Sequence, residues 1–203
     1  MVIKGDGVNL ASGSQTRRSS LVVEPAVRSQ QQFLRFSIQP GSMAIIEIDR
    51  VLELVNIPIS RVVPMPHLPP AVRGVYNWRG DILWIVDLAV LLGGGKEVSR
   101  KYRSLQPIVI LSSRAAMPER SPSAPATIDY QADTAIGVIV EEIVEIEWCD
   151  LDLISPNLPT NLDPELAKWM RGIWESPTGE NFLVLDAVAI LDRADVRVST
   201  DRI

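Results

Sequence analysis

The 203-residue sequence contains one cysteine, Cys149, and one histidine, His67. A single thiol excludes an internal disulfide, and one thiol with one imidazole excludes a zinc site that needs several such ligands. Ser-His-Asp or Cys-His chemistry would have to run through His67, which lies among prolines with no identifiable nucleophile or orienting carboxylate beside it. Positive charge is also short: 20 Lys and Arg against 25 Asp and Glu leave a formal charge of −5, the wrong sign for a protein that neutralises phosphates. No apolar run reaches the roughly 18 residues of a membrane helix. The longest candidate, Ile82 to Leu92, is short and contains Asp87. Residues 1–32 offer no apolar core for a signal peptide, so they are expected to form a disordered polar arm on a cytoplasmic protein.

What is present belongs to a folded domain. Hydrophobic residues are 46% and charged residues 22%, the balance of a globular chain long enough for one domain or two small ones. A second loose stretch, 112–131, carries Pro118, Pro122 and Pro125 among Ser, Ala and charges and reads as a long mobile loop. The two parts flanking it repeat. Val72-Arg73-Gly74-Val75 followed by Ile85-Val86-Asp87-Leu88 matches Met170-Arg171-Gly172-Ile173 followed by Val184-Leu185-Asp186-Ala187. Upstream lie two β-rich runs, Ala44 to Ile57 and Ala135 to Trp148. Two copies of one β module are expected, the first about 33–104 and the second about 105–196.

The periodicity favours strands. Phe33 to Ile38 alternates, with Leu34, Phe36 and Ile38 on one side and Arg35 and Ser37 on the other, as in a half-buried strand. Ile46, Ile48, Leu52 and Leu54 share one parity while Glu47, Asp49, Val51 and Glu53 share a wet one. Ile82 to Val86 is apolar on both parities and should be covered on both faces, at a junction between modules. Gly172 to Asp186 reads as a hairpin closed by Ser176-Pro177-Thr178-Gly179. Helices are few: one over Asp163 to Met170, and short ones capped by Asp87 and Asp186.

The run Pro66-His67-Leu68-Pro69-Pro70-Ala71-Val72-Arg73-Gly74-Val75-Tyr76-Asn77-Trp78-Arg79-Gly80, with Ile82-Leu83-Trp84-Ile85-Val86-Asp87-Leu88 after it, resembles the central motif of the CheW-like chemotaxis coupling proteins. It departs from that pattern with Trp78 for a leucine and Trp84 for a proline. The resemblance extends through Phe33-Leu34-Arg35-Phe36, Val51-Leu52-Glu53-Leu54, Gly137-Val138-Ile139-Val140 and Leu183-Val184-Leu185-Asp186, and the Gly-x-Trp at 172–174 is reminiscent of the pilus-associated branch. It implies a mainly β fold over 33–196, two packed five-stranded SH3-like barrels with a few short helices. It also implies a non-enzymatic adaptor, without cofactor, joining the cytoplasmic tip of a chemoreceptor to the regulatory domain of a chemotaxis-type histidine kinase. Val51, Glu53, Asn77 and Arg79 match the family's receptor-contact positions, as do Gly74 and Gly80. Kinase-contact residues are not assigned, although the second half is expected to supply that surface.

Physical reading adds to this. Val51 would be an apolar residue on an acidic face, suited to a docking helix. Arg79 and Glu53 would make a surface pair. Gly74 and Gly80 read more simply as backbone freedom in a bend and a tight hairpin. Arg79-Gly80-Asp81 is a chance adhesion tripeptide, and Gly93-Gly94-Gly95-Lys96 lacks the Ser or Thr and the leading Gly of a phosphate loop. Glu141, Glu145 and Glu147 read as a solvated face, with Glu142 pointing away. A rival function is a small-ligand-binding sensory protein built from paired barrels carrying five tryptophans; an enzyme is a weaker one.

Overall fold

A computed structural model describes residues 29–93, 103–113, 135–158 and 164–194. The arm up to residue 28 and most of 112–131 lie outside the described residues. The fold is mainly β. In chain order the elements are β1 (Gln30–Gln39), β2 (Ser42–Glu47), β3 (Val51–Pro58), β4 (Val72–Trp78), β5 (Asp81–Asp87), α1 (Leu88–Leu92), β6 (Leu105–Ser112), β7 (Ala135–Ile139), β8 (Glu142–Asp150), β9 (Ile154–Ser155), α2 (Pro164–Ala167), β10 (Met170–Glu175), β11 (Asn181–Leu185) and α3 (Ala187–Ala194). Two sheets form, one of six strands in the order β8-β1-β2-β11-β10-β9 and one of five in the order β3-β6-β7-β5-β4.

The repeat is real and its strands cross over. The order β3-β6-β7-β5-β4 is reproduced by β8-β1-β2-β11-β10, so each module gives its first two strands to one sheet and its remaining strands to the other, three from the first module and four, counting the short β9, from the second. Parallel pairs make the exchange: Ile85 faces Gly137 where β5 meets β7, and Val184 faces Ile45 where β11 meets β2. The irregularities repeat as well. Leu52 is the extra residue of a bulge in β3, between Val51 facing Leu111 and Glu53 facing Ile110. Val144 is its counterpart in β8, between Ile143 facing Phe36 and Glu145 facing Arg35.

Three apolar clusters result. Ile57, Trp78, Leu83, Ile85, Ile108 and Ile110 fill the inside of the five-stranded sheet. Phe33, Ile45, Cys149, Trp174, Phe182 and Val184 fill the six-stranded one. The largest lies between the sheets and joins Leu34, Phe36 and Ile46 to Val86, Val109, Leu111 and Val138, with α1 and α3 closing its ends. Asp87 caps α1 by accepting from the Val90 N–H at 3.3 Å, and Asp186 accepts from Val188 and Ala189 at 2.9 and 3.1 Å, as expected from the sequence.

Four expectations are corrected. β1 is covered on both faces, because Phe33 enters one core while Leu34, Phe36 and Ile38 enter another. The run from Ala44 to Ile57 is not one strand. A 3₁₀ turn at Ile48–Arg50 interrupts it and shifts the parity, leaving Leu52 and Leu54 exposed at 42% and 40% while Val51 is partly buried against the central cluster. Ile82 is 72% exposed at the start of β5, so double coverage begins only at Leu83. The helix after 163 is limited to Pro164–Ala167, since Met170 is taken into β10 by pairing with Leu185.

Both motif glycines answer to a crossing chain. A Cβ on Gly74 would overlap the Val63 carbonyl, and one on Gly172 would overlap the Ser155 carbonyl. Gly74 also has φ +136, whereas Gly179, at φ +82 in the β10–β11 turn, has open space around it. We expect Gly179→Ala to cost about 1–2 kcal/mol of stability from its left-handed backbone alone. Gly74→Ala should cost about 3 kcal/mol or more, since a backbone overlap is added to the same strain. Urea-unfolding midpoints at constant slope check the ranking, and equal losses at the two sites would contradict it.

Candidate functional site

Trp78 closes β4, and Arg79 and Gly80 form the two-residue turn into β5, with φ +57 and +96. Positive φ at both turn residues is the geometry whose twist matches a hairpin, and it explains Gly80. Arg79 is therefore a turn residue. Asn77 is exposed, and its side-chain oxygen accepts from the Gly80 N–H at 3.1 Å, holding the turn. A non-glycine residue at positive φ costs about 1–2 kcal/mol unless its surroundings hold it. Here they do.

The Arg79 guanidinium lies over the Trp78 ring, 5.2 Å from its centroid, and donates to the Glu53 carboxylate at 2.9 Å. The same Glu53 oxygen accepts from the Trp78 indole N–H at 3.0 Å. Glu53, Trp78 and Arg79 thus form one constellation across the seam between β3 and the β4–β5 hairpin. Arg79 remains 61% exposed at its side chain, which leaves a positioned cation presented to solvent. Val51 stands on the other side of the Leu52 bulge and packs inward, so the exposed apolar residues on this strand are Leu52 and Leu54. Gly74 is buried under Val63. Sequence reasoning brought Glu53 and Arg79 together but treated Trp78 only as a departure from a leucine. An indole donor within the motif was the available signal.

The equivalent position of the six-stranded sheet is different chemically, the five-stranded sheet being taken as the first. Arg35 stands where Ile110 stands in the first, and it pairs with Glu145, with Glu147 at 2.9 Å and with Glu180 at 3.9 Å, its guanidinium 5.3 Å from the centre of the Phe182 ring. Glu145 and Glu147 are therefore an ion-paired group rather than a plain solvated face. Burial raises the Glu147 carboxyl above its usual range, Arg35 opposes the shift, and Glu145 and Glu180 add to it. Nearby, burial pushes the Cys149 thiol up to about 12, so it stays protonated and unreactive.

No group of three or more His, Cys, Asp and Glu among the described residues is placed to hold a metal ion. The five tryptophans do not gather in one place: Trp169 and Trp84 lie at the central cluster, Trp78 and Trp174 belong to the two inner clusters, and Trp148 is on the surface. No helix among the described residues is long and apolar enough to cross a membrane.

The family model of the CheW-like domain matches residues 32–195. The chain belongs to the CheW-like domain family. The CheW-like fold is also found in the crystal structure of the scaffolding protein TtCheW from Thermoanaerobacter tengcongensis, which is 18% identical, with a TM-score of 0.56 over 77% of this chain and 88% of that one. Among curated proteins none matches the sequence. In this CheW-like chain the part of the motif from Val72 to Asp87 folds as the β4–β5 hairpin that carries Trp78 and Arg79. The mainly β architecture implied by the resemblance holds, with sheets of six and five strands in place of five and five.

The raised Glu147 generates a pH dependence. Because the folded state holds this proton more tightly than the unfolded chain, the group's contribution to stability is present below the unfolded value and is lost as pH rises through the raised one. Glu147→Gln, which cannot ionise, should gain on the wild type as pH climbs from about 4 to about 7. Urea midpoints of both proteins across that range test this; a variant that falls further behind with rising pH would refute it.

Proposed function

We propose that this protein is a non-enzymatic, cytoplasmic adaptor that couples the cytoplasmic tip of a methyl-accepting type chemoreceptor to the regulatory domain of a chemotaxis-type histidine kinase. The observation that carries the receptor side is the Glu53–Trp78–Arg79 constellation within a CheW-like fold. A guanidinium held by a carboxylate and an aromatic face is pre-organised, so little side-chain freedom is lost when it pairs with an acidic or carbonyl group of a partner. Leu52 and Leu54 on the adjacent strand supply exposed apolar surface of the kind an amphipathic helical tip covers. Val51, Glu53, Asn77 and Arg79 remain the residues of this reading, with Val51 and Asn77 supporting the surface from below and from the turn. On the kinase side, the reading rests on family membership alone.

Titration of a soluble receptor-tip fragment against the protein tests this. Arg79→Glu places like charge against Glu53 and removes the exposed cation, and we expect receptor affinity to fall at least about tenfold. The exposed pair contributes below about 1 kcal/mol, so the melting temperature should hardly move. Leu52→Lys should act in the same direction, whereas Val51→Lys should chiefly destabilise, since its side chain packs against the central cluster. Wild-type affinity in Arg79→Glu, or a large loss of melting temperature, would make Arg79 a structural residue only. Calorimetry with the cognate kinase regulatory domain tests the other partner, and absence of a complex would sink the coupling role.

A further inference from the structure

β8 is an unusual edge. It is the terminal strand of the six-stranded sheet and pairs only with β1 among the described residues, so its outer row of backbone N–H and C=O groups is unpaired by any strand described. Nine residues long, it also exposes large apolar side chains: Val144, Ile146 at 49% and Trp148 at 62%. Such an edge invites another strand. The chain from Glu141 to Asp152 holds six carboxylates and no basic residue. Arg35 and Arg103 answer Glu145, Glu147 and Glu141, while Glu142, Asp150 and Asp152 have no ion pair within the described residues.

These charges select the occupant. In a second copy paired antiparallel about Ile146, Glu145 would face the copy's Glu147 and Glu142 its Asp150, and like charges directly opposite are destabilising. The edge therefore repels its own kind while remaining apolar and open, the arrangement of a surface that discriminates by charge. We propose that β8 accepts, by strand addition, an extended basic segment of a partner protein. Lysine or arginine on one face of that segment meets Glu145 and Glu147, and aliphatic side chains on the other cover Val144, Ile146 and Trp148. This surface lies in the other sheet from Glu53 and Arg79, and the proposal does not depend on the receptor-side reading.

The test uses the full chain and synthetic peptides of alternating lysine and valine, of alternating glutamate and valine, and of lysine and valine with alternate backbone amides N-methylated. At low salt the lysine-valine peptide should bind saturably and slow hydrogen exchange at β8 amides that β1 leaves unpaired. Ile146→Lys should weaken it at least about tenfold while leaving the melting temperature unchanged, with Trp148→Lys as the second variant if the first fails to fold. The glutamate peptide should not bind, and the N-methylated one should bind far more weakly. Equal binding of the N-methylated peptide would reduce the effect to charge alone and overturn strand addition. Failure of the lysine-valine peptide to bind, unchanged affinity in both variants, or protection mapping to β3 and Arg79 would each overturn the site. A concentration-dependent dimer in sedimentation that Ile146→Lys abolishes would make the occupant a second copy, contrary to the proposal.

Discussion

Leu34, Phe36 and Leu185 from one sheet are buried against Val86, Val109 and Val138 from the other, and this contact is the constraint on which the remaining architecture depends. Each sheet has its own inner cluster, but neither can keep its outer face in water, because that face is as apolar as the inner one. Burying apolar area is worth roughly 25 cal/mol per Å², and among the described residues each sheet covers the outer face of the other. The parallel pairs β5–β7 and β2–β11 make separation harder still, since each module supplies strands to both sheets. The two halves are stitched into one folding unit.

That seam also sets the position of the proposed receptor site. β3 leaves the central cluster at Val51, passes through the Leu52 bulge and then runs along the inner cluster of its own sheet toward Ile57. The bulge is what turns Glu53 toward Trp78 at the end of β4. A local irregularity in one strand and a left-handed turn at Arg79 together assemble three side chains that are 25 and 26 residues apart in sequence, as the Trp78–Glu53 and Arg79–Glu53 contacts show.

The repeat reuses the backbone and not the chemistry. The bulges at Leu52 and Val144, the glycines at 74 and 172 and the caps at Asp87 and Asp186 coincide in both modules, because each answers a backbone requirement. Side chains at equivalent places diverge. Ile110 is buried in one sheet, and its counterpart Arg35 is ringed by Glu145, Glu147 and Glu180 in the other. One sheet thus presents a cation stacked on tryptophan and the other an acidic rim beside an apolar edge, so the pseudo-symmetric sheets carry two chemically different surfaces.

The sequence by itself determined the mainly β character, the two-module repeat, both aspartate caps and the turn glycines, because these follow from periodicity and from backbone preferences that act over a few residues. It also paired Glu53 with Arg79, although β3 and the β4–β5 hairpin that carry them are distant in sequence. It could not determine which face of β3 is wet: the 3₁₀ turn at Ile48–Arg50 inverts the parity, and nothing in the alternation of Ile46, Ile48, Leu52 and Leu54 marks where it breaks. Nor could it show that β1 is buried on both faces, that Arg35 gathers three distant glutamates, or that strands cross between sheets. Those outcomes were decided by tertiary structure, since burial at these positions depends on which strand arrives from the other end of the chain, and pairing over such separations is set by the shared core and not by local preference.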